Sequence, residues 1–149
     1  MTQPLLTVDN LKLHFPVKSG LLRRIALYNR AVDGVTLHVK RGETLGLVGE
    51  SGCGKTSLGR CIARLYKPTS GQIHFDGQDI SHLTNKAMLP IRQDIQMIFQ
   101  DPFASLNSIH TVYSHLSRSI LIHRSLSDLS KSERKKVIKK EILSILSEV

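Results

Sequence analysis

The stretch ETLGLVGESGCGKTS, residues 43–57, decides how the chain is read. It begins as a short apolar run, opens into a glycine loop over residues 49–54, and closes on Lys55, Thr56 and Ser57. That is G-x-x-x-x-G-K-[ST], the pattern of a loop that cradles nucleotide phosphates. Gly49, Gly52 and Gly54 can take backbone angles closed to other residues, so the chain can wrap a phosphate closely. The backbone N–H groups of the loop, including those of Glu50, Ser51 and Cys53, then form an anion-binding concavity. The helix expected to start near Lys55 adds its positive dipole end. The Lys55 ammonium can reach β- and γ-phosphate oxygens, and the Thr56 hydroxyl can ligate Mg²⁺ beside them.

The surroundings suit the motif. Residues 44–48 read as a strand buried on both faces, as in a parallel sheet. Beyond the loop, Leu58, Ile62, Leu65 and Tyr66 fall at helical spacing until Pro68. Strand, loop and helix in that order are what the pattern needs. An ordinary glycine-rich turn is the bland alternative, and it leaves the lysine and threonine unexplained.

With 149 residues the chain can form one domain with a real core and is too short for two of ordinary size. Hydrophobic residues make up 40% and charged residues 22%, which suits a soluble globular protein. No stretch approaches the roughly 20 apolar residues of a membrane span. The N-terminus lacks the basic and apolar regions of a secretory signal. The two cysteines, Cys53 and Cys61, lack metal-ligand spacing and fit small buried or semi-buried thiols in a reducing compartment. The formal charge of +9 raises the question of a nucleic-acid partner. The bases are spread, and no aromatics interleave the group at residues 131–140 as a stacking surface requires. A solvated helix face and a polyanionic ligand account for the charge without nucleic acid.

Taken in order, Leu11, Leu13, Phe15 and Val17 alternate with polar residues as in a half-buried strand, which Pro16 should end or place at an edge. Residues 19–30 read as a basic loop, followed by a second alternating strand at Val35, Leu37 and Val39. Ile73 and Phe75 begin a hairpin whose turn is Asp76-Gly77. A short helix is expected before Pro90, and then an apolar strand at Ile95, Met97, Ile98 and Phe99. After residue 103 the character becomes helical. Ile109, Val112, Leu116 and Ile120 mark one helix. Ser130 with Glu133 is a capping box opening a second, with an apolar face at Ile138, Ile142, Ile145, Leu146 and Val149. That helix reads as still running at the last residue. The fold class expected is α/β, a P-loop NTPase core with an antiparallel β subdomain over about 5–103, followed by the start of a helical subdomain over about 104–149.

Four segments give the chain a family likeness: AVDGVTLHV at 31–39, GETLGLVGESGCGKTSLGR at 42–60, PTSGQIHFDGQDI at 68–80 and IQMIFQDPFASLN at 95–107. The sequence resembles the ATP-binding subunit of an ABC transporter, and more narrowly the oligopeptide/dipeptide importers. The resemblance implies ATP and Mg²⁺ as ligands and a place on the cytoplasmic side of the membrane. The implied partners are a second ATPase subunit, membrane permease subunits and, indirectly, a substrate-binding protein. Gln100 matches the Q-loop glutamine, which in the family contacts Mg²⁺ or the attacking water. Phe15 matches the position of the aromatic ring set against adenine, with Tyr28 as the alternative.

The family also uses an LSGGQ-like signature loop and an apolar strand ending in Asp-Glu. Neither occurs in these residues, since LSDLS at 126–130 lacks both glycines and Asp101 is not followed by Glu. The segment NSIHTV at 107–112 departs from the family's Asn-Pro-Arg-Met-Thr-Val. None of the seven histidines falls at ligand spacing. The expectation is a family member truncated before the signature loop, able to bind ATP and defective in hydrolysis alone. Two alternatives accompany it: a small P-loop nucleotide or metabolite kinase, using Arg118 or Arg124, and a non-functional remnant of a split gene.

Overall fold

The computed structural model describes residues 3–19, 24–101, 106–124, 126 and 128–148. Within the FQDPFASLN segment, residues 102–105 lie outside that set, as does Val149 of the expected apolar helix face. The chain forms two compact units, residues 1–97 and 98–149.

The first unit is built on an antiparallel sheet in the order β2-β1-β3-β4, with β1 at Leu6–Ser19, β2 at Arg24–Val39, β3 at Ser70–Phe75 and β4 at Gln78–Asp79. The long β1–β2 ladder pairs Leu6 with Val39 at one end and Ser19 with Arg24 at the other. Residues 24–30 are therefore strand, although their sequence reads as loop. They have no alternation of their own and take their conformation from the partner strand. Pro16 does not end β1. It lies beyond Lys12, where the β3 ladder stops, and pairs with Tyr28 of β2 alone. A residue without an N–H is tolerated there because that side of the strand carries no ladder.

The core shows how a bulge rescues the pattern. Val8, Leu11 and Leu13 are all buried, yet a regular strand would put Val8 and Leu11 on opposite faces. Asn10, at φ 43°, supplies the extra residue, and the register shifts between Val8 and Leu11. The Thr36 hydroxyl accepts from the Asn10 N–H at 2.9 Å and secures the bulge. Gly71 brings β3 so close that a Cβ there would strike the Asn10 carbonyl. Val32, Leu58, Cys61, Ile73, Ile80, Met88 and Ile91 complete this core. Each fully buried aliphatic side chain contributes about 1.5–3 kcal/mol.

Helix α1, Lys55–Ile62, buries Leu58 and Cys61 one turn apart. It stops well before Pro68, because Ala63 caps it and Arg64 turns left-handed at φ 55°. Helix α2, Asn85–Ile91, starts at Thr84, whose hydroxyl accepts from the Ala87 N–H. It runs one residue past Pro90 rather than ending before it. The hairpin turn at Asp76-Gly77 has the expected pairing, Phe75 with Gln78 and His74 with Asp79.

Two expected strands are not formed. Residues 44–48 carry no ladder, and Leu45, Leu47 and Val48 are 44%, 45% and 99% exposed rather than buried on both faces. Residues 95–99 likewise carry none, and Ile98 is 94% exposed. Among the described residues no segment pairs with either. A strand exists only as one half of a ladder, so apolar character alone does not make one.

In the second unit, α3 spans Val112–His123 and α4 spans Lys131–Ser147. Thr111 caps α3, leaving Ile109 outside the helix and exposed. The capping box at Ser130 and Glu133 is present on both sides. Helix α4 ends at Ser147, with Glu148 as its C-cap. The two helices share a small core of Ile120, Ile138 and Ile142 with Leu116 and Leu126, and Arg124 pairs with Glu141 at 2.5 Å.

Asp79 gives the fold an acid-sensitive point. Its carboxylate accepts from both the N–H and the hydroxyl of Ser81, at 2.8 and 2.5 Å, while the buried Ser81 oxygen accepts from the Ile73 N–H at 2.7 Å. The Ser81 hydrogen bonds hold the Asp79 pKa below the ordinary carboxylate value. A carboxylate depressed on folding adds stability above its unfolded pKa, and that stability is lost as pH falls through the folded value. Stability is therefore expected to decline below about pH 4. Thermal melts of Asp79→Asn across pH 3–6, a window chosen to bracket that value, should show a weaker acid dependence than wild type. Parallel pH curves for the two proteins would contradict this.

Candidate functional site

The loop at residues 49–54 turns through the Cys53 N–H to Glu50 carbonyl bond and passes into α1 at Gly54. Gly54 is the N-cap, at φ 96°, and it provides no side-chain cap. No acidic residue sits in the first turn of α1 either. The helix therefore presents its leading N–H groups and positive dipole end without an internal anion to neutralise them. A Cβ on Gly54 would run into the Ala31 carbonyl of β2, so the loop is seated directly on the sheet.

Lys55 folds back across the loop. Its ammonium donates to the Gly49 and Glu50 carbonyls at 2.5 and 2.6 Å and lies 3.3 Å from the Cys53 sulfur. The Lys55 hydrogen bond pulls the Cys53 thiol pKa down, with partial desolvation opposing it. Cys53 is exposed, unlike the buried or semi-buried thiol expected, whereas Cys61 is buried and its pKa is raised by that burial.

A cleft of about 410 Å³ opens in front of the loop, lined by Phe15, Asn29, Arg30 and Ala31 of the sheet and by residues 52–57. Gly52, Cys53, Gly54, Lys55, Thr56, Ser57 and Phe15 are thus brought to one cavity. Gly49 and Glu50 border it through the carbonyls that hold Lys55, and Ser51 is exposed in the loop. Tyr28 is absent from the lining; the ladder places it one residue out of phase with Asn29, which sits opposite Phe15. Phe15 stands edge-on to Tyr66, with ring centroids 5.5 Å apart, and Arg60 braces Tyr66 through its hydroxyl at 3.2 Å. Gln100 belongs to the second unit.

Sequence reasoning missed Asn29 and Arg30. Arg30 borders the cleft, but it pairs with His14 on the sheet face opposite Phe15, and its guanidinium is held by Asp33 at 3.3 Å. Nothing local marks it, because its place comes from the β1–β2 register.

The donor set fits a phosphate chain: an ammonium and an uncapped helix start around one cavity. It also fits Mg²⁺ in the mode in which substrate phosphates and water supply most ligands. Among the described residues no cluster of three His, Cys, Asp or Glu could cage a metal, and Thr56 offers one hydroxyl.

The ABC transporter family model matches residues 32–148. The chain belongs to the ABC transporter family. Among curated ABC proteins it is 47% identical over 133 residues to the oligopeptide transport ATP-binding protein AppF of Bacillus subtilis, covering 89% of this chain and 40% of that one. It is 42% identical over 134 residues to the dipeptide transport ATP-binding protein DppF of Escherichia coli, covering 90% and 40%. The chain thus spans about 40% of the length of these relatives. Of solved ABC structures, the dimeric post-hydrolysis state of the ATP-binding cassette MJ0796, bound to ADP and Pi, superposes with a TM-score of 0.68 at 25% identity. That superposition covers 91% of this chain and 54% of that one. CbiO1 from Clostridium perfringens gives 0.58 at 28% identity, covering 89% and 47%. The α/β P-loop class read from the sequence is therefore the fold class of the chain, and the small-kinase alternative has no support.

Proposed function

We propose that these residues are the nucleotide-gripping part of an ATP-binding subunit of an importer, with peptides as the cargo class. The observation that carries the reading is the cleft that unites Phe15 with the Lys55 loop. The cargo class rests on the relatives, which are named for oligopeptide and dipeptide transport.

In this reading Phe15 stacks on the adenine face and Lys55 neutralises phosphate charge. The N–H groups of residues 50–57 bind the phosphate oxygens. Lys55 leaves the Gly49 and Glu50 carbonyls as phosphate takes their place, exchanging neutral acceptors for charged ones. Thr56 would ligate Mg²⁺, with Gln100 as the second candidate by its family position, and the bound ion would supply charge neutralisation on the phosphates. The segment of about 5–103 forms the ATP-gripping part, and about 104–149 begins the helical part. The subunit works on the cytoplasmic side of the membrane, paired with a second ATPase subunit and with permease subunits. No described helix is long and apolar enough to cross a membrane.

These 149 residues contain no LSGGQ-like loop and no apolar strand ending in Asp-Glu. They are therefore expected to bind ATP without turning it over at a useful rate. Phosphate release by the purified chain in Mg²⁺ should not exceed that of Lys55→Ala. Sustained turnover that disappears in Lys55→Ala would refute the separation of binding from hydrolysis.

A further inference from the structure

Helix α4 gathers three of its lysines on one exposed face. Its 3.6-residue period places Lys136, Lys139 and Lys140 on the side turned away from Ile138 and Ile142, the residues buried against α3, while Lys135 lies beside the buried face. All four lysines are exposed. Glu133 lies on the lysine side, three residues before Lys136, and is engaged with the Ser130 cap, while Glu141 on the other flank accepts from Arg124. The lysine face continues toward the C-terminal end as Leu143 and Leu146, which are 58% and 51% exposed.

Lys136 repels Lys139 and Lys140, three and four residues on, and neither of those two has an acid three or four residues away to offset it. Exposed leucines on the same face add a second unexplained feature. We propose that this face of α4 docks on an anionic lipid surface. The ammonium groups would meet headgroup phosphates while Leu143 and Leu146 enter the headgroup boundary. A polyanionic nucleic acid would use the lysines but not the leucines, and the helix has no aromatic side chain for stacking on bases. The proposal goes beyond attachment through permease subunits and is independent of nucleotide binding.

The test is flotation of the full chain with vesicles of phosphatidylcholine alone or with about 30% phosphatidylglycerol, an anionic fraction that sets a negative surface potential. Binding is expected to anionic vesicles only and to weaken with salt. The triple variant Lys136→Glu, Lys139→Glu, Lys140→Glu should partition at least about tenfold more weakly. Leu143→Ser with Leu146→Ser should weaken binding at unchanged net charge. Replacing the same three lysines by Gln should give the same order with smaller amplitude, with helix content checked by circular dichroism. A charge-matched control, Lys40→Glu, Lys67→Glu, Lys86→Glu, should keep most of the binding. Equal losses in the control and the α4 variant would overturn the proposal, since net charge alone would then be acting. So would binding of a DNA duplex through these lysines with no vesicle binding, or indifference to the leucine changes.

Discussion

Gly54→Ala is expected to abolish measurable ATP binding and to lower the melting temperature. Two independent costs meet at this position. The residue sits at φ 96°, a region that a side-chain-bearing residue occupies only at a cost of about 1–3 kcal/mol. Its Cβ would also collide with the Ala31 carbonyl, which belongs to a paired strand and cannot withdraw without disturbing β2. Either the loop lifts from the sheet or the first turn of α1 unwinds, and both scatter the N–H groups meant for phosphate. Gly52→Ala provides the comparison. It too has positive φ, at 84°, but a Cβ there meets nothing within 4 Å. The expected order is therefore a larger loss of both binding and melting temperature in Gly54→Ala. Fluorescent-nucleotide titration and thermal melts of the two variants measure it; equal effects would show that contact with Ala31 is unimportant.

Arg64→Met is expected to cost the first unit more stability than any truncation of a single core methyl. The Arg64 side chain is 5% exposed, and its guanidinium donates to three carbonyls: Ile80 at 2.7 Å, with Tyr66 and Leu83 each at 3.2 Å. One planar fork thus ties the end of α1 to the segment running from β4 toward α2. Burial works against its charge and lowers its pKa, so the site is held by hydrogen bonds rather than by an ion pair. Met can fill much of the volume but leaves three carbonyls without this donor, at about 1 kcal/mol or more each. A total near 3 kcal/mol corresponds to a loss of roughly 10 °C or more in a unit of this size. Arg64→Lys keeps the charge but cannot span three acceptors and should fall between the two. A melt within about 2 °C of wild type for Arg64→Met, well under the effect of 1 kcal/mol, would contradict this role.

What could be read from sequence was local. The phosphate loop, the Asp76-Gly77 turn and the Ser130–Glu133 capping box each act over a few residues, and all three are present in the structure. What could not be read depended on partners distant in sequence. Residues 44–48 have the composition of a central strand but no ladder, because composition cannot supply a neighbour. Asn29 lies in a stretch without alternation, and only its pairing with Phe15 brings it to the cleft. Arg64 looks like an ordinary basic residue at a helix end, and its burial depends on carbonyls 16 and 19 residues away.

The central claim is that this chain grips ATP through Lys55 and the loop around it. Isothermal titration of ATP into the chain, with and without Mg²⁺, tests it most directly, with Lys55→Ala as the comparison. Saturable binding of one nucleotide per chain is expected. Removing a charged hydrogen-bond donor worth about 1.5–3 kcal/mol should weaken it roughly ten- to a hundredfold in Lys55→Ala. Absence of saturable binding, or equal affinity in the two proteins, would contradict the account.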